Sequence, residues 1–227
     1  MTQPNYPTLI PLPTELQGER IVLRPLVPAD GPAMIAAIEE SRVELDAWMD
    51  WPPAMRTEDD GVDYCIRMAA EWLRRDSLNV GIFDASTGRY LGNTGFHTIK
   101  WRLRAFEIGY WLRTSATGHG YMTEAVQLLL ALAFEHLDAR RVTILCDATN
   151  NRSSAIPVKL GFTHEGTHRK DSVTPAGDIR DTMVWAMLDD DYRALQASAI
   201  VDDTREGRGR AETAASSASN QTMDRKG

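Results

Sequence analysis

The chain has 227 residues, of which 43% are hydrophobic and 25% charged; this supports one sizeable core and excludes fibrous and wholly disordered classes. The formal net charge, 25 − 32 = −7, argues against a protein that coats nucleic acid. No apolar run reaches the roughly 18–20 residues that a membrane span requires. The N-terminus lacks the basic region and apolar stretch of a secretory signal. Cys65 and Cys146 lie far apart with no metal-ligand spacing, as expected of two unpaired thiols in a cytoplasmic protein. His97, His164 and His168 show no ligand spacing either, so no metal is expected.

Residues 1–16 are rich in proline and polar groups and read as a loose lead-in. The folded unit is expected over 17–200. Ile21, Val22 and Leu23 form a first strand stopped by Pro25. Asp30 before Gly31-Pro32 marks a helix start, and Met34, Ile35, Ile38, Val43, Leu45 and Trp48 keep helical spacing up to Pro52-Pro53. A second helix is expected over 59–75. Strands over 79–83 and 89–99 are joined by a turn at Ser86-Thr87-Gly88, and a third strand covers 106–112. The apolar positions Ala125, Leu128, Leu129 and Leu132 predict a long helix over 120–137. A strand over 141–146, a short helix over 153–160 closed by Gly161, and strands over 162–169 and 180–188 complete the order. That order predicts an α+β (α/β) fold with a mixed, strongly bent central sheet flanked by helices on both faces. Residues 201–227 hold Gly, Ser, Ala, Thr and charge with hardly a large apolar side chain, so they are expected to form a disordered tail.

One segment suggests chemistry on physical grounds alone. Gly118 and Gly120 stand where the 106–112 strand gives way to the long helix. Glycines there let the backbone approach a ligand closely. The first amides of the helix lack intrahelical partners and carry the positive end of its dipole. A phosphate or diphosphate fits such a place, and so does a bare glycine-rich turn. The segment is neither a P-loop nor a dinucleotide-binding fingerprint.

Longer stretches resemble the GNAT superfamily of acyltransferases, and within it the RimJ/RimL-like branch of ribosomal-protein N-terminal acetyltransferases. They are Gly18-Glu19-Arg20-Ile21-Val22-Leu23-Arg24-Pro25, the run from Ser41 to Pro52, the run from Glu107 to Ala125, and Asn150-Asn151-Arg152-Ser153 through Lys159-Leu160-Gly161-Phe162. The resemblance covers about 18–190. It implies a GNAT fold whose sheet splays between the 106–112 and 141–146 strands. It implies acetyl-CoA as donor and an amine as acceptor. The favoured acceptor is a protein N-terminal amine attacked directly in a ternary complex. A small-molecule amine such as an antibiotic or polyamine, or a non-catalytic acyl-CoA sensor, are the alternatives. Neither nucleic acid nor membrane is an expected partner; a homodimer is left open.

The resemblance also assigns roles. Tyr110, Trp111 and Leu112 would pair with the pantetheine arm through their backbones. Thr117, Gly118, His119, Gly120, Tyr121 and Met122 would surround the diphosphate. Thr117 and Met122 depart from the usual loop residues, which weakens side-chain help but not the backbone amides. A side chain at 120 is therefore expected to weaken acetyl-CoA binding with little harm to folding. Glu107 stands where relatives carry a general base, and partial burial near Tyr110, Trp72 or Trp48 would raise its pKa. Asn150 would bond the pantetheine region. Ser153 would donate to the departing sulfur, or simply cap the 153–160 helix. Pro157 occupies the spot where many relatives place a tyrosine acid. Trp48, Trp51 and Trp72 are candidates for the acceptor groove, with core packing as the alternative. Asp171, beside Ser172, is a reserve base or a contact for a basic acceptor.

Overall fold

The computed structural model describes residues 6–198. In chain order the elements are β1 (Leu16–Gln17), β2 (Ile21–Arg24), α1 (Gly31–Glu40), α2 (Arg42–Asp46), α3 (Glu58–Arg74), β3 (Leu78–Asp84), β4 (Tyr90–Lys100), β5 (Ala105–Leu112), α4 (Tyr121–Ala131), β6 (Arg141–Asp147), α5 (Asn151–Lys159), β7 (Thr163–Val173) and β8 (Ile179–Leu188). The eight strands form one sheet in the order β1-β2-β3-β4-β5-β6-β8-β7. Its one parallel contact is β5–β6, as a strand–helix–strand crossover through α4 requires. The compact unit runs to Leu188, and the described residues 189–198 are a helix of a second unit. The expected tail, 201–227, lies outside the described residues.

The segment expected as a loose lead-in is tied down where it is described. Ile10 is buried, its carbonyl accepts from Arg75 Nη2 at 3.0 Å, and β1 pairs with β2. The single long helix expected from Asp30 to Pro52 is broken at Ser41, and Val43 is 84% exposed. Ser41 is fully buried, and its hydroxyl accepts from the Thr114 amide at 2.8 Å. Satisfying that buried polar group outweighs helix continuity. α4 likewise ends at Ala131 and passes into a π-turn, Leu132–His136.

α1 and α3 cover one face of the sheet; α4 covers the other, against β2, β4 and β5. α3 starts cleanly because Thr57 accepts from the Asp60 amide while the Asp60 carboxylate accepts from the Thr57 amide. The helices touch backbone to backbone: a Cβ at Gly61 would lie 2.5 Å from Gly31 O, and one at Gly31 would lie 2.5 Å from Val62 N. At the end of β5, the Arg113 guanidinium holds the Glu40 carboxyl down at about 2 and fixes the strand to α1.

Candidate active site

β5 carries the centre of the site. Side chains alternate along it, so Phe106 and Ile108 are buried on the α4 side, while Glu107, Gly109 and Trp111 share the opposite face. Trp111 packs against Trp51 and Tyr90, with ring centroids 5.6 and 6.0 Å apart. Trp51 and Trp111 border a cavity of about 810 Å³. Its walls bring together Glu107, Tyr110 and Trp111 of β5, Cys146 of β6, Asn150 and Ser153 at the start of α5, and Trp48 and Trp51 of the turn after α2. Asp171 and Ser172 of β7 line it as well. Trp72 does not; it lies near the C-terminal end of α3, its carbonyl accepting from Arg75.

Glu107 is not alone. Its Oε1 lies 3.1 Å from His97 Nε2, and its main-chain oxygen lies 3.0 Å from His97 Nδ1. A β-bulge makes this possible. Phe96 pairs with Ile108 and Thr98 with Glu107, so His97 is an extra residue with no opposite number in β5. Its ring spans Gly109, where a Cβ would come within 3.4 Å of Nδ1.

The sheet opens just beyond Glu107. Parallel pairing of β5 with β6 ends at Ile108–Ile144, whereas β4 follows β5 as far as Leu112 and β8 follows β6 as far as Asp147. Residues 109–112 therefore present a strand edge that β6 does not pair. A partner must satisfy such an edge wherever water is excluded.

α5 stands at the mouth of that opening. Asn150 is its cap: Asn150 Oδ1 accepts from the Ser153 amide at 3.0 Å, so the Ser153 hydroxyl is not used as a cap. Pro157 has no amide hydrogen and leaves the Ser153 carbonyl without its helical donor. The Tyr110 hydroxyl fills the gap, donating to Ser153 O at 2.9 Å and lying 3.3 Å from Ser153 Oγ. Burial pushes the Tyr110 phenol above its ordinary pKa, so it stays a donor at neutral pH. The same cause raises the Cys146 thiol, which is 8% exposed beside this pair. Sequence reasoning missed Tyr110 as a hydroxyl donor, although a proline four residues after Ser153 announces a freed carbonyl.

The glycine loop lies at the other end of β5. Gly118 and Gly120 both sit at φ +80°, and no side chain caps α4. Arg20 secures the loop from behind: its Nη1 donates to His119 O at 2.7 Å, and its Nε and main-chain amide bind the two oxygens of Glu124 at 2.9 and 2.8 Å. Gly18 allows the approach, because a Cβ there would lie 2.4 Å from Glu124 Oε1. His119 and Tyr121 rings stack at 5.7 Å. Thr117 donates to Thr114 O, and Met122 is buried in the core, so at position 122 only the backbone faces the loop. A hollow of about 660 Å³ lies between the loop and the β1–β2 turn, with Lys159 of α5 in its wall.

Comparison with known proteins agrees with this geometry. The sequence profile of the acetyltransferase (GNAT) domain family matches residues 20–163. YjcK of Bacillus subtilis, classed by its name among the N-acetyltransferases, is 32% identical over 182 residues, 78% of this chain and 98% of its own. A ribosomal-protein-serine acetyltransferase of Escherichia coli is 33% identical over 76 residues, 34% of this chain and 42% of its own. Among solved structures, the RimL ribosomal L7/L12 α-N-protein acetyltransferase in complex with coenzyme A superposes with a TM-score of 0.71. It has 23% identity, with 78% of this chain and 99% of that one covered. Among the described residues no helix is long and apolar enough to cross a membrane. A match over most of the folded unit, on a sheet that opens between β5 and β6, places the chain in the GNAT acetyltransferase family.

Proposed function

We propose that the chain acetylates the α-amine of a protein N-terminus, with Glu107 as general base and the Ser153–Tyr110 pair at the departing sulfur. The observation that carries this is the single cavity holding Glu107 on β5 and Ser153 on α5 to either side of the opened strand edge. An amine attacks only when neutral, and a thiolate leaves more readily when it is hydrogen-bonded or protonated. The Ser153 hydroxyl, free of capping duty, donates to Tyr110 Oη over a long 3.3 Å and can turn its hydrogen to a departing sulfur. Pantetheine would add to the unpaired edge at 110–112. Attack is direct: burial keeps the Cys146 thiol protonated, which disfavours it as a covalent carrier. Asp171 serves the acceptor end, and Trp48 and Trp51 line its path. The named activity of the ribosomal-protein relatives supports an N-terminal acceptor. Two free cysteines support a cytoplasmic location.

The acceptor is tested by thiol release. Short peptides with a free α-amine are expected to turn over with kcat/KM at least about tenfold above free polyamines and aminoglycosides, a difference of about 1.4 kcal/mol in transition-state binding. Faster turnover of a small amine would replace the N-terminal reading.

The loop assignment makes its own prediction. Gly120→Val should raise the acetyl-CoA dissociation constant about tenfold by calorimetry. The substitution also costs about 1–2 kcal/mol of stability, because a β-branched residue at φ +80° is strained and crowds Arg20 at 3.3 Å. This corrects the expectation of little harm to folding. Unchanged affinity in the folded variant would move the diphosphate elsewhere.

A further inference from the structure

We infer that His97 and Glu107 accept the acceptor's proton as a pair, with His97 the positioning residue that aims the carboxylate and strengthens it as a base; this rests on the reading of Glu107 as base. Hydrogen counting carries the inference. His97 Nδ1 faces a main-chain carbonyl at 3.0 Å, and a carbonyl only accepts, so Nδ1 carries a hydrogen. His97 Nε2 faces a carboxylate oxygen at 3.1 Å, which when ionised also only accepts. The second contact is favourable only with one further hydrogen between Nε2 and Oε1. Without it, two lone pairs face each other. The bulge and the Nδ1 bond hold the ring in this place, so Nε2 stays aimed at Oε1, and a proton taken up there is shared by the two groups. Both side chains are open to the cavity, at 45% and 24% exposure.

Other charged groups lining the cavity are further engaged. Arg67 of α3 is paired with Asp63 at 2.8 Å, Asp171 of β7 with His168 at 3.5 Å, and Arg180 of β8 lies 4.0 Å from Asp147 of β6. Asp50, from the turn after α2, lines the acceptor end. Tyr110 and Cys146 stay protonated through burial. The His97–Glu107 pair is thus a base with its own built-in partner.

The reaction balances as follows. An N–H bond of the acceptor ammonium breaks, and its proton comes to rest between Oε1 and Nε2. The free amine forms the C–N bond at the thioester carbonyl. The C–S bond breaks, and the second proton lost by nitrogen ends on the thiolate as the CoA thiol. The pair returns its proton to solvent, so ammonium and thioester give amide, thiol and one proton.

The experiment is the pH profile of kcat/KM for His97→Gln. The amide of that variant can still donate to the carboxylate but binds no proton. The acidic limb is expected to move down by about one pH unit or more, with about tenfold lower kcat/KM at neutral pH. A profile that superimposes on the wild type, whether or not its height changes, overturns the pairing. If His97→Gln folds poorly, the His97 ring is titrated by NMR in the wild type and in Glu107→Gln. A drop in its midpoint in Glu107→Gln supports the pair, and an unmoved midpoint overturns it. The two readings fail separately. Wild-type turnover in Glu107→Gln removes the base itself, whereas a dead Glu107→Gln beside an unmoved His97→Gln profile removes only the pairing.

Discussion

Replacing Glu107 by glutamine is expected to lower kcat by about 10²- to 10³-fold at neutral pH while acetyl-CoA affinity stays within about twofold. The change is nearly isosteric. The glutamine side chain brings an amide that can donate to His97 Nε2, so neither the bulge nor the β4–β5 pairing loses a partner. The side chain lies on the face opposite Phe106 and Ile108, so the core is untouched. The open strand edge and the loop around Gly118 and Gly120 are also unchanged. What disappears is a group able to take a proton from the acceptor. Steady-state thiol release measures the first quantity and calorimetry the second. Loss of turnover with retained binding separates an enzyme from a sensor that only holds acyl-CoA. Turnover within about threefold of wild type would transfer the role of base, and Asp171 would be the next residue to change.

The largest expected loss of stability comes from Gly61→Leu, at about 3 kcal/mol, the upper end of what overpacking costs. Leucine is a better helix former than glycine by about 0.8 kcal/mol, so an isolated helix would be strengthened. Packing decides otherwise. A Cβ at Gly61 would stand 2.5 Å from Gly31 O and 2.8 Å from an Ile35 side-chain carbon, and the nearer atom is backbone. Gly31 has the mirror-image problem against Val62 N, so neither helix can yield without moving as a whole. Chemical or thermal unfolding reads the effect, a fall in Tm of about 10 °C for a domain of this size. Met34 and Ile38 of α1 and Tyr64 of α3 line the acceptor cavity, so separating these helices should also raise the acceptor KM. A loss below about 1 kcal/mol would contradict the close crossing.

The capping box at Thr57 and Asp60 needs two residues three apart, and the strand, loop and helix from Ala105 to Ala131 follow from alternation, glycine and 3.6-residue spacing. Such features depend on neighbours along the chain, which is why the order of elements and the placing of Glu107, Gly118, Gly120 and Ser153 were legible without coordinates. Trp72, by contrast, has helical spacing within α3 but does not line the cavity, and nothing local distinguishes it from Trp48. Ser41 breaks a helix that its neighbours would have continued, because its hydroxyl is claimed by Thr114.

What the chain determines by itself is its set of amphipathic elements and their order, because periodicity and turn chemistry act over a few residues; the family was legible only through the resemblance of particular stretches such as Glu107 to Ala125. Only the folded molecule decided that a bulge turns His97 onto Glu107, that Tyr110 fills the bond Pro157 leaves open, and that Arg20 braces a loop far along the chain. Those contacts join residues 10 to 99 apart in sequence, where the geometry of pairing, and not local preference, sets which polar groups must satisfy one another.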